Sequence, residues 1–312
     1  MKADHDIILR RSLEMMTKEY LVDEVLNSQI EISRLKSDLY DLHDQIGTYD
    51  MAVENSTEHP HGSFIFYLGA HEPSWLRHIE LVGIPLFVST RRLGRLKNMI
   101  PATTRWALDS GGFTELTMHG KWTVTPQEYI TQVRRYHDEI GMMDWAAPQD
   151  WMCEPHMLER TGLTVEKHQE NTISNYLDLK TLAPELPFIP VLQGWTRDDY
   201  LRHVQMYMEH DIDLEAENLI GLGSVCRRQA SDEVATIATS LHPLRLHGFG
   251  AKKAAIVQYG SVLASADSMA WTVGGRKRPD PSCPKRTCGD CLHYALKWRN
   301  ETIRGVNDRL VE

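Results

Sequence analysis

Trp106-Ala107-Leu108-Asp109-Ser110-Gly111-Gly112-Phe113 begins apolar and β-prone, then breaks into an acid, a serine, two glycines and an aromatic. A buried parallel strand that ends in a functional turn reads this way. Neither glycine has a Cβ, so the backbone here can approach a ligand closely. Asp109 then occupies the C-terminal tip of a strand, where α/β barrels keep their chemistry. Taken alone, the stretch fits a tight turn with a helix-capping aspartate equally well. Its recurrence along the chain is what favours a site.

Outward from this stretch the chain alternates short apolar runs with helical segments. The expected strands are 63–69, 84–89, 104–109, 143–148, 188–193, 219–222, 244–249 and 262–267. The expected helices between them are 73–82, 91–99, 126–140, 165–182, 197–210, 231–241 and 252–259. Thr125 before Pro126, and Ser231 before Asp232 and Glu233, are helix-start signals. Eight strands alternating with helices predict an α/β fold, a (β/α)8 TIM barrel over 59–275, with a doubly wound open sheet as its rival. Residues 1–58 carry apolar positions at three- and four-residue steps and then a polar linker, which predicts an N-terminal helical extension with coiled-coil character. Residues 276–312 form a C-terminal segment with clustered cysteines and a final helix.

The ends of the apolar runs carry the functional argument. They read His71-Glu72, Arg91-Arg92, Asp109, Asp150, Gln193-Gly194, Gly221 to Gly223, His247-Gly248 and Asp267. In a barrel these converge on one face, giving three carboxylates, an amide and several glycines around one pocket. Any one of them is explicable as a loop residue, Asp150 as a cap and His247 as a core histidine. The coincidence at so many strand ends predicts an enzyme.

Composition sets the limits. The 312 residues carry 25% charged and 42% hydrophobic side chains, ordinary for a globular protein. No stretch approaches a membrane span, and the N-terminus has no signal-peptide core, which predicts a cytoplasmic protein without membrane contact. The net charge of −9 argues against a wholly basic nucleic-acid coat. Local basic clusters remain, among them Arg91 and Arg92, Arg227 and Arg228, Lys252, and Arg276 and Lys277. Cys283, Cys288 and Cys291 lie within nine residues, a density that suits a metal better than disulfides in a reducing compartment.

Five stretches occur in a telling order: Leu108 to Phe113, Val191-Leu192-Gln193-Gly194, Ile220-Gly221-Leu222-Gly223, Leu246-His247-Gly248-Phe249-Gly250, and Ala264-Ser265-Ala266-Asp267-Ser268-Met269. They resemble successive motifs of the guanine transglycosylases, the queuine-type tRNA enzymes and their DNA-modifying relatives. The resemblance spans about residues 63–293. It implies a zinc-bearing barrel that exchanges guanine in a nucleic acid for a 7-deazaguanine without breaking the backbone. By the same resemblance, Asp267 is the nucleophile at C1′ and Asp109 the general acid/base. Asp150 reads the N–H edge of the base, and Gln193 and Gly194 its carbonyl edge. Backbone groups at Leu222 and Gly223 meet the 7-substituent, while Phe113 and His247 sandwich the ring.

The family's metal pattern is C-x-C-x2-C with a later histidine, whereas this chain has C-x4-C-x2-C at Cys283, Cys288 and Cys291. His293 is the available late ligand, and a barrel histidine stays open as an alternative. The expected metal is a structural zinc. After the nucleophile the tRNA enzymes carry a loop of the form P-T-R-x-A-R-N-G; here the chain reads Trp271 to Arg278 without it. The resemblance is therefore closest to the deazapurine DNA-modification branch, the DpdA-like enzymes of phage and bacterial islands. It implies DNA as partner, with tRNA as the alternative, and 7-cyano-7-deazaguanine or a close analogue as the incoming base. Arg91, Arg92, Arg227, Arg228, Lys252, Arg276 and Lys277 are the expected phosphate contacts. A non-catalytic barrel subunit that recruits a partner is a further reading, and a homodimer or a helper protein is open on the sequence.

Overall fold

Each strand forms where a short, β-prone apolar run meets turn residues. The computed structural model describes residues 64–226, 231–283 and 287–310. The helical reading of residues 1–58 therefore lies outside the described residues, as do Arg227 and Arg228. The described strands are β1 (Ile65–Ala70), β2 (Leu86–Ser89), β3 (Trp106–Asp109), β4 (Met143–Ala146), β5 (Val191–Leu192), β6 (Ile220–Leu222), β7 (Leu246–Gly248) and β8 (Ser265–Ser268). Each overlaps an expected run. They form one eight-stranded sheet in the order β4-β3-β2-β1-β8-β7-β6-β5, and every ladder is parallel.

The sheet is curled, so that its edge strands approach each other. One parallel bridge pairs Ala146 at the end of β4 with Phe188, just ahead of β5. Ala146 N–H donates to Pro187 O at 2.9 Å, and Ile189 N–H donates to Ala146 O at 3.2 Å.

The described helices are α1 (Thr90–Leu93), α2 (Gly112–His119), α3 (Pro126–Ile140), α4 (Pro155–Thr161), α5 (Val165–Leu182), α6 (Arg197–Glu209), α7 (Ser231–Ser240), α8 (Lys253–Tyr259), α9 (Ala270–Lys277) and α10 (Leu292–Leu310). Helix α3 starts with a capping box, Thr125 and Glu128 satisfying each other's backbone N–H, with Pro126 in the first turn. Thr196 and Asp199 do the same for α6. Two expected helices are shorter than their apolar pattern. Segment 73–82 is two 3-10 turns, because His78 takes an extended conformation between them. Segment 91–99 is a single turn that ends at Gly94, a poor helix former. Helices α2 and α9 escape the pattern because glycine pairs dilute their apolar periodicity.

Alternation along the strands decides what faces inward. Phe66, Leu68, Leu86, Val88, Trp106, Leu108, Leu246 and Ala266 join the main core beneath the helices. Their neighbours Tyr67, Phe87, Ala107 and Trp145 pack together on the concave side. By the same period of two, Asp109 follows Ala107 on that inner side, and Asp267 shares it with Ser265. At the opposite, N-terminal end, Tyr67 Oη donates to Asp144 Oδ2 at 2.9 Å and Arg105 Nε donates to Asp144 Oδ1 at 2.8 Å.

Candidate active site

All strands being parallel, their C-terminal ends share one rim, and that rim collects the acids. Asp109 is the last residue of β3 and Asp267 the third residue of β8. The turn after β3 needs glycine at 111, whose φ of +81° lies in the left-handed region. It aims the Gly111 N–H back at Asp109 Oδ1, 3.0 Å away. Burial pushes the Asp109 pKa up, against the Gly111 N–H and the Ser89 hydroxyl; the nearby Asp267 charge raises it further and Arg91 opposes. Asp109 therefore holds a proton more readily than an ordinary aspartate does.

Asp267 is 3% exposed. Its Oδ1 accepts from Gly250 N–H at 2.8 Å and from His247 Nε2 at 3.3 Å. His247 is itself wholly buried, with Nδ1 2.8 Å from Ser265 Oγ. Burial pushes its pKa down, against the pull of Asp267. A neutral ring then donates from Nε2 to the carboxylate and accepts from Ser265 at Nδ1. Trp145 and Phe249 hold the ring, with centroids 4.6 Å and 4.9 Å away. Both contacts fall on Oδ1.

Asp150 and Gln193 meet across the rim, the Gln193 side-chain amide lying against Asp150 Oδ2. Burial raises the Asp150 pKa to about 7; the Gln193 contact opposes this, while the charges of Asp109 and Glu154 add to it. Gln193 is pinned from several sides. Its N–H donates to His203 Nδ1 at 2.8 Å, its carbonyl accepts from Gln169 Nε2 at 2.7 Å, and its Oε1 lies 2.7 Å from Ser224 Oγ. Gly223 makes room for it, since a Cβ there would lie 2.1 Å from Gln193 Nε2. Gly194 packs against Asp199 and Tyr200 in the same way.

The backbone groups expected at a 7-substituent are partly engaged within the fold. Gly223 N–H donates to Leu192 O at 2.9 Å, and Gly223 O accepts from Tyr200 Oη at 2.7 Å. The Leu222 side chain faces the main core. The two residues expected to sandwich a base sit in different surroundings. Phe113, partly exposed, packs beside Leu116, Met152 and Met157, whereas His247 lies beneath Asp267. Glu154, 1% exposed, and Ser224 were not singled out in the sequence. Glu154 stands four residues after Asp150 on the same loop, and Ser224 directly follows the Gly221-Leu222-Gly223 run; spacing from those motifs was the available signal.

Arg91 and Arg92 on α1, Lys252 at the start of α8, and Arg276 and Lys277 at the end of α9 are exposed on segments that follow β2, β7 and β8. Arg91 lies within electrostatic reach of Asp109, and Arg92 and Arg276 within reach of His71, just past β1. Arg91 also approaches Glu115, at 3.8 Å.

The Sγ atoms of Cys283, Cys288 and Cys291 lie within 4.8 Å of one another. Cys283 and Cys291 are 3.5 Å apart, and Asp280 N–H donates to Cys288 Sγ at 3.3 Å. A tetrahedron built on metal–sulfur bonds of about 2.3 Å has edges of about 3.8 Å, so the three thiols fit one soft cation. His293, exposed on the first turn of α10, is not part of this cluster. Cys288 N–H donates to Gly275 O at 3.0 Å, which fastens the cluster to α9.

The model of the family described as DpdA, DeoxyPurine in DNA protein A, matches residues 63–311, most of the chain. The chain belongs to the DpdA family. Membership ties it to deazapurine modification of DNA. No curated protein sequence matches. Among solved structures, an oxaloacetate acetylhydrolase is similar with a TM-score of 0.41 at 11% identity, covering 75% of this chain and 88% of its own. The same enzyme in complex with the product oxalate gives 0.40 at 10% identity, with 79% and 91% covered. Xylanase B from Clostridium stercorarium F9 gives 0.35 at 11% identity, with 66% and 85% covered. Likenesses at this level carry no functional inference. No described helix is long and apolar enough to cross a membrane.

Proposed function

We propose that the chain is a DNA guanine transglycosylase that exchanges guanine for a 7-deazaguanine through a covalent aspartyl-sugar intermediate. The observation that carries this reading is the unequal pair of acids on one rim. Asp267 is held through Oδ1 by Gly250 and His247, and Asp109 has its pKa raised by burial. Environments that separate two carboxylates in this way suit nucleophile and acid/base roles.

In the first half-reaction Asp267 Oδ2 forms a bond to C1′ as the C1′–N9 bond breaks. The bond pair leaves with guanine, and Asp109 supplies the proton that neutralises it. In the second, Asp109 takes the N9 proton of the incoming 7-deazaguanine, N9 attacks C1′, and the ester oxygen returns to Asp267 as carboxylate. Asp150, ionised, accepts from the N–H edge of the base, and the Gln193–Gly194 segment faces its carbonyl edge. Phe113 bounds the pocket, and His247 acts from beneath by steering the nucleophile. A base taken from a duplex must first be extruded, which costs a few kcal/mol. The exposed Arg91, Arg92, Lys252, Arg276 and Lys277 are proposed to hold phosphates meanwhile.

The same reading takes the curled sheet as a (β/α)8 barrel closed by the Ala146–Phe188 bridge, and the cysteine cluster as a structural zinc site. Zinc there would tie α10 to α9 and take no part in the exchange.

The test is incorporation of labelled guanine or 7-cyano-7-deazaguanine into duplex DNA and into unmodified tRNA in parallel, with Asp267→Asn as control. Label in DNA alone, lost in the variant, is the expected result. Label in tRNA alone transfers the chemistry to RNA, and label in neither removes the exchange reading.

A further inference from the structure

Asp150 and Glu154 are joined by a continuous chain of side chains, of which the exchange reaction leaves Ser224 and Glu154 unused. Gln193 lies against Asp150 Oδ2 at one end. Ser224 Oγ lies 2.7 Å from Gln193 Oε1 and 2.9 Å from Glu154 Oε2, and it accepts Cys153 N–H at 2.8 Å. Gln193, Ser224 and Glu154 are all buried, at 0%, 4% and 1% exposure. Unmatched polar groups at such depth are costly.

A hydroxyl has one hydrogen, so Ser224 cannot donate to both Gln193 Oε1 and Glu154 Oε2. Two singly protonated arrangements satisfy these contacts. In the first, Gln193 Nε2 donates to ionised Asp150, Ser224 donates to Gln193 Oε1, and a protonated Glu154 donates to Ser224. In the second, the amide is turned over. A protonated Asp150 then donates to Gln193 Oε1, Gln193 Nε2 donates to Ser224, and Ser224 donates to ionised Glu154. The two differ by an amide flip, which heavy-atom positions alone do not distinguish. Each requires one proton on one of the two acids, and neither is satisfied with both ionised.

We propose that Asp150 and Glu154 share one proton through a Gln193–Ser224 relay, and that Glu154 is a positioning residue that sets whether Asp150 faces the pocket as a carboxylate or as a neutral acid. The consequence for base choice rests on the reading of Asp150 as the base-edge contact; the shared proton does not. A guanine-type edge presents N–H donors and selects ionised Asp150, sending the proton to Glu154. An edge that offers no N–H donor permits the other arrangement, in which the Asp150 proton points at Gln193. The second carboxylate lets Asp150 change its charge without exchanging a proton with solvent.

The surroundings favour retention of that proton. Asp109 faces Asp150, and Cys226 Sγ lies 3.9 Å from Glu154 Oε1. Tyr129 and Tyr207 feel the Asp150 charge from α3 and α6. Cys153 feels Glu154 and Asp150 together with Asp199 and Arg202 of α6. Among the described residues, no lysine or arginine is ion-paired with either acid. His203, whose pKa burial pushes down to about 3, adds no positive charge beside Gln193.

The test is carboxyl-carbon NMR of the full-length protein labelled at aspartate and glutamate, titrated without ligand, with Asp150→Asn and Glu154→Gln used for assignment. Coupled acids titrate as a pair. The expected result is one common transition near neutral pH in which both carbons move. Ser224→Ala, or Gln193→Met should the first variant fold poorly, separates it into two independent transitions. Glu154 titrating alone in the ordinary carboxylate range of the wild type overturns the relay. A common transition that persists in both variants overturns it too, since the coupling is then through space. Guanine added at neutral pH should move Asp150 towards carboxylate and Glu154 towards acid. A common transition with no response to guanine keeps the relay and removes the base-edge reading, so the two failures are distinguishable.

Discussion

His247 Nε2 lies 3.3 Å from Asp267 Oδ1, the same oxygen that accepts the Gly250 N–H at 2.8 Å. Two donors on one oxygen draw charge to that side and fix the carboxylate plane, so the free oxygen has a defined direction. The ring is held in turn by Ser265 and by Trp145 and Phe249. His247→Phe keeps an aromatic in this box and removes the donor. A hydrogen bond to a charged group contributes about 1.5–3 kcal/mol. Steady-state kinetics should show kcat down roughly 10- to 100-fold by that estimate, with KM for the base little changed. An unchanged kcat would leave His247 as packing alone.

Gly223 and Gln193 make the second relationship testable. A Cβ at 223 would lie 2.1 Å from Gln193 Nε2, and Gln193 has little freedom to withdraw because His203, Gln169 and Ser224 hold it. Overpacking of this kind costs about 1–3 kcal/mol. Gly223→Ala should lower the melting temperature and raise KM for the base more than it lowers kcat. A neutral result would mean that Gln193 is looser than its contacts imply.

The strands were legible because apolar runs with turn residues after them have few other readings, and the acids were legible because they end those runs. Asp109 and Asp267 needed only the period of two to be turned to one side. The relay partners were not legible in this way. Glu154 lies on a loop and Ser224 at a φ of +56°, where sequence gives no periodicity to follow. His247 shows the converse limit. Its place after an apolar run is compatible with a stacking residue or a core residue, and only burial separates the two. The late ligand His293 followed from chain order, yet α10 directs it into solvent.

The cysteine cluster should hold a metal, zinc by its three thiol donors, at one ion per chain. Cys288 is buried and fastened to Gly275 of α9, so metal loss should loosen the α9–α10 junction. Elemental analysis of the purified protein should find the ion, and chelation should expose the three thiols to a titrating reagent and lower the melting temperature. Cys288→Ser should do the same. Metal-free protein with unchanged melting and unreactive thiols would argue against the site.

Lys277 and Arg276 end α9, the helix that follows β8, and both are exposed. If they neutralise DNA phosphates, each contributes about 0.9 to the slope of log affinity against log salt. Lys277→Glu is the cleaner variant, because the Arg276 side chain covers Gly289 near the cysteine cluster. It should weaken duplex binding, flatten the salt dependence by about one such increment, and leave the affinity for free base unchanged. An unaltered slope would remove this segment from the DNA path.

Asp150 gives the pH prediction, and its sign follows from burial. Its pKa rises from the ordinary 3.8 to about 7 in the folded protein. The folded state therefore binds the proton more tightly than the unfolded chain does. The stabilisation from that proton is fully present below the unfolded value and is lost as pH rises through about 7. Asp150→Asn, which cannot ionise, should match or trail the wild type in mildly acid buffer and gain on it above neutral pH. The gain should be on the order of a few kcal/mol. Exchange activity should be lost in the variant, which offers no carboxylate to the base N–H edge. Thermal melts and initial rates across that range check both limbs. A stability difference that does not depend on pH would place the Asp150 titration outside this window.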